Sequence, residues 1–226
     1  MCIRDSANAF NQMRTRIKRF LKQRTEMLAG VSHDLRTPLT RMKLQISLMK
    51  DEKAKSELEV DVNEMTSMLD SYVSFVKTES PEPIETIIIN ELIGDIVKTV
   101  EKNCVELTIQ EKNTIQTSGR QIQLKRAFNN IIDNSKRYAK KIEIILYTNE
   151  KDCVIEFNDD GEGIPRDKYE DVFKPFFTLD PSRNKLKGES GLGLTITRDI
   201  IRSHGGDVKL SDSNLGGLQL KVLLPL

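Results

Sequence analysis

No stretch of the 226 residues is apolar over the length needed to cross a bilayer, and nothing in it has the layout of a signal peptide. An excess of charge is missing too: 35 basic against 34 acidic side chains leave a formal net charge of +1. That balance gives no reason to expect nucleic acid or an anionic membrane surface as a partner. Cysteine is scarce, and Cys2, Cys104 and Cys153 lie far apart without C-x-x-C or metal-ligand spacing. Reduced thiols of a cytosolic chain are expected, not a disulfide framework. The remainder is 38% hydrophobic and 31% charged, an ordinary mix for a chain that buries a core. The length fits one large domain or, better, two small ones.

The first six residues stand apart. Met-Cys-Ile-Arg-Asp-Ser can be encoded by ATG TGT ATA AGA GAC AGC, part of a transposase adapter used in sequencing libraries. Residues 1–6 are therefore expected to be a translated adapter fused to an incomplete gene, and such scars are excluded from fold reasoning. On that reading Cys2 is not native, and an N-terminal membrane segment has been cut off.

From Leu28 to Met49 apolar residues recur at steps of three or four: Leu28, Val31, Leu35, Leu39, Met42, Ile46 and Met49. That is one stripe of an amphipathic helix, with the heptad-like spacing of a bundle seam. A second helix is striped by Leu58, Val62, Met65, Leu69, Tyr72 and Val76, with the turn near Lys50–Lys55. A lone hairpin leaves apolar surface uncovered, so two hairpins are expected to pair into a dimeric four-helix bundle. Glu79-Ser-Pro-Glu-Pro83 then breaks the pattern and reads as a linker. Beyond it the pattern is mixed. Strands are expected at Ile84–Ile89, Val105–Gln110, Ile142–Tyr147, Val154–Asn158 and Gln219–Leu224. Helices are expected at Glu91–Asn103 and about Arg120–Tyr138, and a glycine turn runs into a helix near Gly191–Ser203. The expected product is a helical hairpin followed by an α/β sandwich.

At about 100° per residue, His33 sits roughly 200° around its helix from Val31 and Leu35, facing solvent. Its setting is Ser32-His-Asp-Leu-Arg-Thr-Pro-Leu39. Asp34 can take a proton or hydrogen bond from Nδ1 and leave Nε2 free to attack. Pro38 removes a helix donor and is expected to bend the helix. Further on, Asn130 and Asn134 are four apart and share a helix face. Asp159-Asp-Gly-Glu-Gly-Ile164 follows an expected strand, where Gly161 and Gly163 let the backbone turn and approach a ligand. Gly188-Glu-Ser-Gly-Leu-Gly-Leu194 leads into a helix, an arrangement that directs N–H groups and the helix dipole at an anion. It lacks the glycine-lysine-serine/threonine ending of a Walker A loop. His204, followed by Gly205-Gly206, is expected to cap a helix end.

Each motif alone is weak, whereas their order and spacing are specific. After residue 6 the chain resembles the sensor histidine kinases of bacterial two-component systems. Thr25-Glu-Met-Leu-Ala-Gly-Val-Ser-His-Asp-Leu-Arg-Thr-Pro-Leu-Thr-Arg41 resembles osmosensor kinases of the EnvZ type. Residues 130–138 resemble the family's N box, 159–164 its first glycine box and Phe173-Lys-Pro-Phe-Phe177 its F box. Residues 188–194 resemble the second glycine box, and Gly216-Gly-Leu-Gln-Leu220 a weaker final one. Ala9-Phe-Asn-Gln-Met13 is similar to the end of a HAMP signalling helix, which in such proteins follows a transmembrane segment. Ser135 and Glu162 depart from the family's usual alanine and proline without removing a group that does chemistry.

The resemblance implies a domain order. Residues 7–22 end the HAMP helix, 23–80 form the dimerisation and histidine phosphotransfer domain, and 81–226 form an ATP-binding domain of the Bergerat (GHKL) kind. It implies roles as well. His33 accepts phosphate, Asp34 orients and activates it, and Thr37 positions water for hydrolysis of a phosphorylated response regulator. Asn134 ligates Mg²⁺ and Asn130 supports the nucleotide. Arg137 meets phosphate, and Tyr138 packs near adenine. Asp159 receives the adenine amino group. Gly161, Gly163, Phe177, Gly191, Leu192, Gly193 and Leu194 shape the ATP pocket. Thr178–Lys187, with Arg183, forms the lid. The implied partners are a response regulator receiver domain and a second copy, paired through residues 23–80. The expected setting is the cytoplasmic portion of a bacterial inner-membrane protein. Two alternatives remain: another ATPase with the same nucleotide fold, and a degenerate kinase serving as a dimeric scaffold. The helix around His33 argues against the first, and intact His33, Asn134 and Asp159 argue against the second.

Overall fold

The computed structural model describes residues 2–76, 82–100, 105–109, 114–179 and 191–226. They fall into a helical unit before residue 80 and an α/β unit after it.

The helical unit is a hairpin of α1 (Cys2–Ser47) and α2 (Glu52–Val76). Asp51 makes the turn: its carboxylate accepts the N–H of Lys53 and Ala54, at 3.0 and 3.2 Å, and so caps α2. Helix α1 runs through Pro38. The expected stripe supplies the small core, with Leu39, Ile46 and Val62 buried and Met49 and Leu69 packed against them. Val31, Leu35, Met42, Leu58 and Met65 of the same stripes are more than two-fifths exposed on this single hairpin. The side chains of Leu28, Tyr72 and Val76 lie outside the described residues. Residues 2–6 continue the α1 backbone; a helix propagates at the cost of one residue per hydrogen bond, whatever the origin of the residue.

The α/β unit comprises β1 (Glu85–Ile88), α3 (Ile89–Thr99), β2 (Val105–Ile109), β3 (Gln116–Gly119), α4 (Gln121–Tyr138), β4 (Ile142–Thr148), β5 (Asp152–Asp159), α5 (Gly193–Ser203), β6 (Asp207–Asp212) and β7 (Leu218–Pro225). The main sheet runs β2-β4-β5-β7-β6, parallel between β2 and β4 and antiparallel elsewhere. β1 and β3 form a separate antiparallel pair. Alternation sets the layers: Ile142, Ile144 and Leu146 of β4 and Leu218, Leu220, Val222 and Leu224 of β7 are buried, with half-buried residues between them. One face of this mixed sheet is thus dry, and helices cover it. α3 contributes Leu92, Ile93 and Ile96, α4 Leu124, Phe128, Ile131 and Ile132, and α5 Ile200 and Ile201. Each such side chain contributes roughly 1.5–3 kcal/mol when fully buried. The rings of Phe128 and Phe157 meet at 6.1 Å between centroids, joining α4 to β5. Burial pushes the Cys153 thiol up to about 12, leaving it an inert core residue.

The expected elements of this unit are all present, with small shifts. Ile89 begins α3 instead of ending β1, so the expected helix from Glu91 starts two residues earlier and ends at Thr99. Two strands were not anticipated. β3, Gln-Thr-Ser-Gly, has no apolar alternation to read. β6 is an edge strand with Val208 buried and Leu210 half-buried.

Candidate functional site

Asp159 ends β5 and is 4% exposed, an unusual place for a carboxylate. Its Oδ1 accepts the backbone N–H of Gly161 at 3.1 Å and of Leu218 at 2.9 Å. Its Oδ2 accepts the Ser135 hydroxyl at 3.1 Å, and its main-chain oxygen accepts Gly217 N–H at 3.1 Å. Charge-assisted bonds of this kind keep a buried carboxylate tolerable. The neighbouring backbones crowd it, since a Cβ on Gly217 would overlap both Asp159 Oδ1 and Gly161 N. The final glycine pair therefore belongs to this site. In the sequence it stood out only as the weakest motif, and its signal was a pair of glycines just before a strand.

The next residue ties down the loop. Asp160 accepts the N–H of Lys140 and Lys141 at 2.7 and 2.8 Å, joining the exit of α4 to the exit of β5. The N–H of Lys141, then that of Lys140, hold this exposed carboxyl below its ordinary value. Farther along, Arg166 and Tyr169 both donate to Asp212 of β6, fixing the chain that follows Gly163. The Asp212 carboxyl is held low by the hydrogen bond from Arg166 first and that from Tyr169 second.

Helices α4 and α5 form a second wall. Asn130 Nδ2 donates to Gly193 O at 3.3 Å, and Thr197 Oγ1 donates to the same oxygen at 2.9 Å. The first turn of α5 is thereby held beside the N box, with its unsatisfied N–H groups and positive dipole end at Gly193. Gly191 permits the approach: its φ is +62°, and a Cβ there would lie 2.8 Å from the Phe176 carbonyl carbon. Leu192 is buried and Leu194 half-buried. Asn134 is half-buried one turn after Asn130, and Arg137 and Tyr138 are exposed in the last turn of α4. Phe177 and Gly163 are half-buried in the loops that follow β5.

The structure thus joins Ser135, Asp159 and Gly161 through one set of contacts and Asn130 and Gly193 through another. Arg183 and most of the expected lid lie outside the described residues. His33 is on α1, in the other unit, and its side chain also lies outside the described residues. Asp34 and Thr37 beside it are exposed. His204 caps α5 as expected, and it also has a partner that the sequence did not reveal. Nδ1 lies 2.7 Å from Ile200 O, while Nε2 accepts Arg120 N–H at 3.0 Å across 84 positions.

The donor set suits a purine nucleotide: a buried acceptor carboxylate, half-open glycine backbone and a helix N-terminus for phosphate. Among the described residues no group of three or more His, Cys, Asp or Glu forms a metal cage. Mg²⁺ held mainly by phosphates and water would need no such cage.

Comparison with known proteins agrees with this division. Residues 23–80 match the family model of the His Kinase A (phospho-acceptor) domain. Residues 119–226 match that of the histidine kinase-, DNA gyrase B- and HSP90-like ATPase. The chain is similar to the sensor histidine kinase GtrS of Pseudomonas aeruginosa, 33% identical over 97% of this chain and 46% of that protein. It is similar also to the sensor histidine kinase CpxA of Escherichia coli K12, 32% identical over 96% of this chain and 50% of that protein. The chain spans about half the length of these relatives. Among solved structures, a mycobacterial sensor histidine kinase, MprB, superposes with a TM-score of 0.52 at 23% identity, covering 63% of this chain and 97% of that one. Full-length ShkA in complex with AMPPNP gives 0.67 at 15% identity, covering 89% and 46%. These superpositions show the shared fold.

Proposed function

From a chain that carries a phospho-acceptor domain followed by a histidine kinase-type ATPase domain, we infer a sensor histidine kinase of a two-component system. The observation that carries this reading is Asp159: a buried carboxylate with three bonds in place and acceptor capacity left on Oδ2. It is suited to the amino group of adenine. Asn130, Asn134 and the first turn of α5 then face the triphosphate, Asn134 offering its amide oxygen to Mg²⁺. His33 Nε2 attacks the γ-phosphorus in line, the bond to the β–γ bridging oxygen breaks and ADP leaves. Asp34 holds the proton at Nδ1 and steadies the charged imidazole. Such transfer depends mostly on position and charge neutralisation. An aspartate of a response regulator receiver domain takes the phosphoryl group next. Thr37 orients water when the same protein dephosphorylates that regulator.

The finer assignments belong to the same reading. The His33 segment suggests the EnvZ type, and residues 7–22 the end of a HAMP helix. A membrane anchor upstream of that helix would make this the cytoplasmic portion of an inner-membrane protein, with residues 1–6 an adapter remnant. Pairing of two copies through residues 23–80 is supported by the stripe residues left exposed on one hairpin, such as Leu35 and Met65. Among the described residues the hairpin buries three apolar side chains, a small core for a hairpin alone.

The test is incubation of the full chain with γ-labelled ATP and Mg²⁺. Acid-labile label on the protein is the expected result. Free phosphate without labelled protein would identify another ATPase of this fold, and neither product would leave a scaffold.

A further inference from the structure

Ser135 is a buried polar residue of the N box that the kinase reading leaves without a task. Helix geometry puts it one position beyond Asn134, turned inward and 5% exposed. Its hydroxyl hydrogen goes to Asp159 Oδ2 at 3.1 Å. Both Oδ1 lone pairs are already taken by the N–H groups of Gly161 and Leu218. Among the described residues Ser135 is thus the sole partner of Oδ2, and it determines which acceptor capacity remains for a ligand.

We propose that Ser135 is a specificity-determining residue that excludes 6-oxo purines from the Asp159 site. The inference rests on the reading of Asp159 as the adenine acceptor and deepens it. A serine hydroxyl has one hydrogen and two lone pairs. Next to a buried carboxylate that hydrogen is committed to the charge, because a charged hydrogen bond outweighs a neutral one. The remaining face of the pair then offers acceptors alone. A 6-amino purine presents N–H there and is accepted. A 6-oxo purine presents a carbonyl oxygen, which meets lone pairs and finds no donor.

Alanine at 135 changes this balance. The space and the open lone pair on Oδ2 admit a water molecule, which has two hydrogens. One can satisfy Asp159 while the other donates to a 6-oxo group. Serine cannot make both bonds; water can. Among the described residues the hydrogen bond of the Ser135 hydroxyl goes to Asp159, so the effect is expected at the base.

The experiment is calorimetric titration of the full chain with Mg²⁺-ADP and Mg²⁺-IDP, for the natural protein and for Ser135→Ala and Ser135→Cys. Wild type should prefer ADP, and Ser135→Ala should narrow the ADP/IDP ratio by about tenfold, a differential of ~1.4 kcal/mol. Most of that change should come from tighter IDP binding. Ser135→Cys keeps the bulk but donates weakly, and should fall between the two. Equal losses for both nucleotides, or a wider ratio, would make Ser135 a packing residue and overturn the proposal. Equal wild-type affinities would overturn it while leaving a nucleotide site. A wild type that binds neither nucleotide would remove the kinase reading together with it.

Discussion

Asp159 shows how much chemistry one side chain can concentrate. A carboxylate inside a protein is tolerated when its oxygens are paired, and here two amides and a hydroxyl do so without exhausting it. Asp159→Asn would keep the shape but point an amide nitrogen toward either Ser135 or the ligand. On the kinase reading it should weaken ADP binding by about tenfold to a hundredfold, since a charged hydrogen bond is worth roughly 1.5–3 kcal/mol. Calorimetry showing unchanged affinity would place the base elsewhere. Thr37 tests the other end of the chemistry. Thr37 is exposed on α1, and on the proposed mechanism a His33 nucleophile assisted by Asp34 does not need it. Thr37→Ala should leave self-phosphorylation in place and reduce phosphatase activity toward the cognate regulator. Equal loss of both activities would assign Thr37 to the helix geometry ahead of Pro38.

At the scale of elements, α4 is the helix on which the site depends, and it has no cap of its own. Its N-cap residue, Arg120, makes no side-chain capping bond. The free N–H groups are met from far away in sequence. Glu82 accepts Ile122 N–H at 2.6 Å and Gln123 N–H at 3.3 Å, and His204 accepts Arg120 N–H. Glu82 also places negative charge where the helix dipole favours it. The linker and the end of α5 are thereby fastened to the start of the helix that carries Asn130, Asn134 and Ser135. Glu82→Ala and His204→Ala should each lower stability by about 1 kcal/mol, the usual cost of a lost cap. His204→Gln, which keeps an acceptor, should recover part of the loss. Urea unfolding followed by circular dichroism measures it. A neutral Glu82→Ala would mean that water caps α4 equally well.

At the scale of the whole molecule, His33 and Asp159 belong to different units. On the proposed mechanism they must meet during the reaction, so a hinge step can limit the rate. The separation also predicts a clean division of labour. His33→Gln should abolish self-phosphorylation while leaving ADP affinity within about twofold of wild type, because the residues proposed to hold the nucleotide lie in the α/β unit. Label retained on the His33→Gln protein would exclude His33 as the acceptor. A parallel loss of affinity would mean that the hairpin helps to build the nucleotide site.

Periodicity alone carried the helical hairpin, because Leu39, Ile46 and Val62 recur with the helix period and are buried for that reason. The same physics made β4 and β7 legible, since alternating burial leaves its mark on Ile142–Leu146 and Leu218–Leu224. Asn130, Asp159 and the glycine turns were also visible, as polar or flexible residues set at particular points of apolar patterns. The partners of those residues could not be read from the chain. Ser135 meets Asp159 across 24 positions, Leu218 across 59, Glu82 meets α4 across 40 and His204 across 84. Nothing in local composition records such pairings. They exist because the sheet order β4-β5-β7 and the packing of α5 on α4 bring distant backbone donors to a few acceptors. A sequence specifies which groups are available, while the tertiary structure decides which of them share a hydrogen.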